Sequence, residues 1–319
     1  MAIASWLASS APDAAIEIAP HAVSVAVLGS RGPEAVVQAY GAAPVPPDAV
    51  VPGLAGVNII DRPAVAAALH AACAQAGQRP RRAALAIPDL AARVALVRFE
   101  QLPKRREDLD QLIRWQVRKS LPFPVEEACV THSPGVAAGT GGEFITVAAR
   151  RDVIREYESV CDDAGIHAGV VDLSTLSVVN LYLGGTTQLA GDALVVHIRP
   201  EYTSIAILRH GHLIFFRTRP EGEEDSLSDV VHQTSMYYQD RLGGEGFARV
   251  FAGGSTRQPG GVELARQDLE TRLGHPVEPL DATVAASIPD RLGSAGEQVA
   301  ALVPLVGLLL RARKGAAAA

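Results

Sequence analysis

Two stretches of this 319-residue chain set hydroxyls, small residues and ionisable groups around a proline turn between two apolar strands. The first is Ile16-Glu17-Ile18-Ala19-Pro20-His21-Ala22-Val23-Ser24-Val25-Ala26-Val27-Leu28. The second is Val196-His197-Ile198-Arg199-Pro200-Glu201-Tyr202-Thr203-Ser204-Ile205-Ala206-Ile207-Leu208, with Ile18/Ile198, Pro20/Pro200, Ser24/Ser204, Ala26/Ala206 and Leu28/Leu208 identical in register. Two such turns, facing each other, are a place where a phosphate chain can be gripped from both sides. That chemistry needs small residues so that backbone N–H groups approach the phosphate, hydroxyl donors, and a carboxylate to organise Mg²⁺. The candidate ligand-binding residues are Glu17, Ser24, Arg199, Thr203 and Ser204, joined by Gly253, Gly254 and Ser255 at the end of a later strand.

Plainer roles compete for several of these residues. Arg199 suits a phosphate clamp, yet an arginine at a strand end more often makes an intramolecular ion pair. His197 lies in an apolar strand, where a satisfied core imidazole is the commoner finding than a base. His210 and His212 flank a hairpin glycine and read as solvated. Glu221, Glu223, Glu224 and Asp225 precede a helix, where acidic residues suit the positive end of the dipole. Trp115 fits either a partner anchor or a contact between substructures. No histidine pair has zinc spacing. The three lysines, Lys104, Lys119 and Lys314, follow no glycine-rich turn, which excludes a P-loop.

Composition narrows the classes further. The length suits about two domains with a sizeable core, and a charged fraction of 20% is ordinary for a globular protein. A net charge of −6 argues against a nucleic-acid surface. Cys73, Cys129 and Cys161 lack metal spacing, and Cys73 and Cys161 fall on apolar helix faces as reduced core thiols. Met1–Leu7 is a poor signal peptide. The apolar stretch Val299–Leu310, interrupted by Pro304, is short of the ~20 residues of a membrane span. A soluble chain is expected.

The elements that must position these residues follow from hydrophobic period and end signals. Each repeat is a strand triplet, the third strands being Ala35–Tyr40 and Leu213–Thr218. Asp61 caps a helix that ends before Gly77. Strands are expected at Ala83–Pro88, Val94–Phe99, Ala128–His132 and Phe144–Ala149, the last two split by a loop over Gly135–Gly142. A helix spans Glu107–Ser120 with Leu109, Leu112, Ile113 and Val117 on one face and is stopped by Leu121-Pro122-Phe123-Pro124. Asp152 caps another helix, with Gly165 beyond it. A strand at Val170–Asp172 feeds a helix from Ser174. Helices at Ser226–Leu242, Val262–Leu273 and Gln298–Leu310 and a strand at Arg249–Ala252 complete an α/β pattern. Self-similarity in two copies suits a duplicated α/β domain with one ligand cleft.

Leu102-Pro103 through Leu121-Pro122-Phe123-Pro124, Ile113-Arg114-Trp115, Val147-Ala148-Ala149-Arg150-Arg151 and Ala164-Gly165-Ile166 to Val171-Asp172 resemble the actin-like ATPase superfamily. Within it they are most similar to the PilM family of pilus-assembly proteins. The resemblance covers nearly the whole chain. It implies a duplicated, ribonuclease H-like fold: a first lobe over 1–98, an inserted α/β subdomain over 99–150, completion of the first lobe over 151–192, a second lobe over 193–297, and a C-terminal helix and tail over 298–319. Its phosphate loops follow Asp-x-Gly-x-Ser/Thr. Here Glu17 and His197 replace the aspartates, Ala19 and Arg199 the glycines, and Pro20 and Pro200 remove backbone donors. Gly253-Gly254 matches the adenosine-side motif. ATP and Mg²⁺ are therefore expected to bind weakly or not at all, with catalysis lost. The resemblance implies a cytoplasmic scaffold beside the inner membrane. It would bind the N-terminal peptide of a PilN-like membrane protein in a groove between first lobe and insert, with Trp115 a candidate anchor. Ring formation and contacts with other assembly proteins are also implied. The alternatives are an ATPase whose nucleotide state controls partner binding, and an FtsA-like or GspL-like homologue of the cell-division or secretion machinery.

Overall fold

The computed structural model describes residues 11–31, 34–138, 140–184, 191–222, 226–292 and 296–318. The Met1–Leu7 segment and the acidic residues Glu223, Glu224 and Asp225 lie outside the described residues.

The first sheet holds β1 (Ala14–Ile18), β2 (Ala22–Arg31), β3 (Glu34–Pro44), β4 (Arg82–Ile87) and β8 (His167–Leu173), in the order β3-β2-β1-β4-β8. The second holds β9 (Ala193–Ile198), β10 (Tyr202–Arg209), β11 (His212–Pro220), β12 (Arg249–Gly254) and β13 (Val277–Pro279), in the order β11-β10-β9-β12-β13. In both, a three-strand antiparallel meander continues into two parallel strands. The sequence repeat is thus a repeat of topology, and the duplicated fold class is observed.

Alternation along β1 and β9 assigns the two faces. Ile16 and Ile18 face α1 (Arg62–Ala76) and α3 (Arg151–Asp163), beside Leu69, Tyr157 and Val160. Leu194, Val196 and Ile198 face α5 (Leu227–Leu242) and α6 (Gly261–Leu273). The opposite faces carry Ala15 and Val195 and share one core with α4 (Ser174–Gly184) and α7 (Gly296–Ala318). These two helices therefore lie between the sheets. Gly307 lets them cross closely, since a Cβ there would stand 1.9 Å from the Ser177 carbonyl oxygen.

A third sheet, β5-β7-β6, is built from β5 (Ala92–Phe99), β6 (Ala128–Ala138) and β7 (Gly141–Arg150), with α2 (Arg106–Val117) on one face. β5 pairs with β7 along its whole length, so this sheet starts at Ala92, ahead of the boundary at 99 read from the sequence. The expected loop over Gly135–Gly142 is largely hairpin, with Ala137↔Gly142 and Ala138↔Gly141 paired. Gly and Ala give no alternation to mark such a strand. Asp61 caps α1 through Ala64 N at 3.0 Å, and Gly77 ends it at φ 63°. Asp152 is not the cap of α3: the helix begins at Arg151, and Asp152 sits in its first turn. α7 extends past Leu310 to Ala318, so the expected tail is helical. No helix among the described residues is long and apolar enough to cross a membrane.

Candidate functional site

The two repeated turns meet at the floor of the cleft between the sheets. Glu17 is the next-to-last residue of the buried strand β1, and its Oε1 lies 3.3 Å from Arg199 Nη2 of the other half, both side chains at most 6% exposed. The same oxygen accepts from Ser174 Oγ at 2.5 Å. Arg199 is thus the partner of a buried carboxylate. Burial presses its pKa down, and Glu17, Tyr202, Glu201 and Asp89 together more than offset that, holding it raised.

Two further bonds cross between the halves. Asp89 follows β4 in a single helical turn, is 1% exposed, and accepts from Ser204 Oγ at 2.6 Å and Thr175 N at 3.0 Å. Burial pushes its carboxyl up to about 6, against the lowering effect of those bonds and of Arg199. His197 Nδ1 lies 2.7 Å from Thr175 Oγ1. Burial, and secondarily Arg199, hold its pKa well below the usual imidazole value, so it is neutral. The N-terminal turn of α4 thereby touches both sheets: Ser174 bonds to Glu17, and Thr175 bonds to Asp89 and to His197.

Each turn also closes on itself. Ala19 N donates to Ala22 O at 3.0 Å, and Arg199 N donates to Tyr202 O at 2.8 Å. With Pro20 and Pro200 next in line, neither turn offers a free N–H at its first two positions.

Above this floor is a cavity of about 680 Å³ lined by Glu17, Ser24, Tyr40, Arg199, the segment 252–260 and one side of α6. Burial raises the pKa of the Tyr40 hydroxyl, and the neighbouring Ser24 acts against that rise. Gly253 and Gly254 line the cavity, but both are also demanded by packing. A Cβ at Gly254, where φ is 129°, would stand 2.0 Å from Ile198 O, and one at Gly253 would stand 2.8 Å from Leu280 Cβ. Ser255 lines the cavity, its N–H donating to Ile198 O at 2.9 Å. Of the sequence candidates, Glu17, Ser24, Arg199, Gly253, Gly254 and Ser255 converge on the cavity. Thr203 and Ser204 do not. Ser204 turns inward to Asp89 and Thr218, and Thr203, its neighbour on a strand, points to the other face. Asp89, Ser174, Thr175 and Tyr40 were missed. The available signals were an Asp directly after the Ala83–Pro88 strand and a Ser-Thr pair opening a helix.

A second concavity, about 490 Å³, runs between the first sheet and the third. Cys129, Thr131 and Ser133 of β6, Ile145, Val147 and Ala149 of β7, Val170 and Val171 of β8, and Leu176, Val179 and Leu183 of α4 line it. Its lining also includes the buried Asp172, bonded to Arg311 and to Asn180, and Gly211, His212 and Leu213 at the β10–β11 hairpin. Both flanking strands, β6 and β8, are sheet edges. Trp115 is absent from this groove. Helical spacing turns Ile113 and Val117 onto the sheet and leaves Trp115 56% exposed on the outer side, with Lys119 Nζ 4.8 Å from its ring centre. Cys73 and Cys161 are buried core thiols; burial raises both, Cys161 to about 12. No three metal-ligating side chains cluster among the described residues.

Comparison with known proteins gives similar solved structures and one family match. A solved structure, the PilM–PilN type IV pilus biogenesis complex, superposes with a TM-score of 0.80 at 16% identity, covering 96% of this chain and 99% of that one. The cytoplasmic domain of EpsL, an inner-membrane component of the type II secretion system of Vibrio cholerae, matches at a TM-score of 0.47 and 12% identity, over 77% of this chain and 83% of that one. The TM-score of 0.80 shows that this chain shares the fold of the PilM–PilN complex chain on which it superposes. A family model described as type IV pilus assembly protein PilM matches residues 15–240, more than two thirds of the sequence, and the chain belongs to that family.

Proposed function

We propose that this protein is a scaffold of the type IV pilus assembly machine that binds a peptide of a PilN-like partner in the groove between β8 and the third sheet, without needing nucleotide. The observation that carries the reading is the groove itself: an apolar channel bounded by two free strand edges. An extended peptide would gain main-chain hydrogen bonds from an edge and side-chain burial from Val147, Val171, Leu176 and Val179. The solved complex of a PilM with PilN supports the partner class.

The same reading includes loss of nucleotide chemistry. The donor set does not fit Mg²⁺ and a triphosphate. Glu17 is engaged by Arg199 and Ser174, Asp89 by Ser204 and Thr175, and the first N–H of each turn by its own turn. A carboxylate already neutralised by a buried arginine has no charge to offer a cation. On this reading the interlobe bonds hold the halves together where a bound ligand would otherwise bridge them. The competing reading, an ATP-binding protein, is favoured by the 680 Å³ cavity that remains above the floor.

Isothermal titration of the nucleotide-free chain with the N-terminal cytoplasmic peptide of the partner membrane protein tests the proposal. Saturable binding, abolished by Val147→Arg in the groove and unaffected by Ser24→Ala in the cleft, is expected. Binding that survives Val147→Arg in a folded variant would place the peptide elsewhere.

A further inference from the structure

The outer surface of α2 and the segment leading into it has no part in either concavity. Lys104, Arg105, Arg106, Arg114, Arg118 and Lys119 set six cations against Glu107, Asp108 and Asp110, a local surplus of positive charge in a chain of net charge −6. Among the described residues, none of these six is held in an ion pair. Cations in the last turn of a helix are explained by its dipole. Lys104, Arg105 and Arg106 stand at the opposite, positive end, where the dipole disfavours them. The dipole also says nothing about Trp115, the most bulky apolar side chain on this face and more than half exposed. The apolar stripe of α2 is already covered, Ile113 and Val117 packing with Phe144 and Ala148, so the helix is not free to bury that stripe in anything else.

We propose that this face docks onto the anionic headgroup layer of a phospholipid bilayer, with Trp115 at headgroup depth among Arg114, Arg118 and Lys119. The charge is complementary and unengaged. It is spread along α2 rather than gathered at one point, with Arg106 and Arg114 also bordering a cavity of about 360 Å³ beside Asp110 and His132. A tryptophan beside basic residues is the composition that favours the membrane–water interface. The groove lies on the other face of the third sheet, lined by Ile145, Val147 and Ala149, so both surfaces can be occupied at once. The inference stands apart from the peptide reading and can fail separately.

The test is flotation of the full chain with vesicles of phosphatidylglycerol and phosphatidylethanolamine, beside vesicles of phosphatidylcholine alone. Recovery on the anionic vesicles at about 0.05 M salt, lost at about 0.5 M, is expected from screening. The double variant Arg114→Glu/Arg118→Glu should weaken it at least about ten-fold. Trp115→Ala should weaken it too while leaving the melting temperature and the peptide titration unchanged. Absence of recovery on anionic vesicles, equal recovery on neutral ones, or undiminished recovery of both variants would overturn the proposal. So would binding to polyglutamate without binding to vesicles, which would reassign the surface to an acidic protein.

Discussion

Glu17 and Arg199 decide what the cleft floor can do. Each is buried and each is the other's counter-charge, so removing one strands the other. Glu17→Ala or Arg199→Ala should destabilise the protein by about 3–5 kcal/mol, and the double variant by much less than the sum. Denaturant unfolding of the four proteins of the cycle measures this. Asp89 has a pH signature. Its native pKa, about 6, lies above the ordinary aspartate value of 3.8, so between these limits the native state holds a proton that the unfolded state has lost. Its contribution makes stability fall as pH rises from about 4 to about 6, by about 3 kcal/mol. His197 acts in the opposite sense: being held neutral, it takes stability away as pH drops below about 6.5. The stability difference between the protein and Asp89→Asn, followed from pH 4 to 7, isolates the first effect, and a flat difference would refute it. At this scale the sequence was half legible. Repeat register located Glu17, Ser24 and Arg199. It could not reveal that Ser204 bonds to Asp89, a residue 115 positions away, because that bond depends on how the halves face each other. Trp115 carried no mark in the sequence to say which side of α2 it would occupy relative to the groove.

Among the elements, α4 and α7 tie the halves together. Their crossing rests on Gly307, and Gly307→Ala would push a methyl group against the Ser177 carbonyl. A loss of about 1–3 kcal/mol is expected, read as a lower melting temperature. α4 also joins the two sites, with Ser174 and Thr175 in the floor network and Leu176, Val179 and Leu183 in the groove. Strand and helix cores were legible wherever apolar period was strong, as in β1, β9 and α1. β13 was missed because three residues, Val277–Pro279, are too few to show alternation. β5 was recognised as a strand, but not as part of the third sheet, since pairing partners leave no local trace. The cap of α3 was misplaced because Asp152 looks like a capping residue, while the backbone turns helical one residue earlier.

At the scale of the molecule, two copies of one topology face each other across α4 and α7, and an inserted sheet flanks the first. The fold class was legible because duplication preserved the strand–turn–strand pattern of both copies. The cleft was legible as a departure from the expected phosphate loops, with Pro20, Pro200 and Arg199 where small residues and backbone donors were expected, and the structure places Arg199 against Glu17. The central claim is that the scaffold binds its partner without nucleotide. The most direct test is titration of the nucleotide-free chain with the partner's N-terminal peptide, in the absence and presence of excess MgATP. Equal affinity in both, with no heat from MgATP alone, is the predicted result. Saturable MgATP binding together with a change of about ten-fold or more in peptide affinity, roughly 1.4 kcal/mol of coupling, would contradict it.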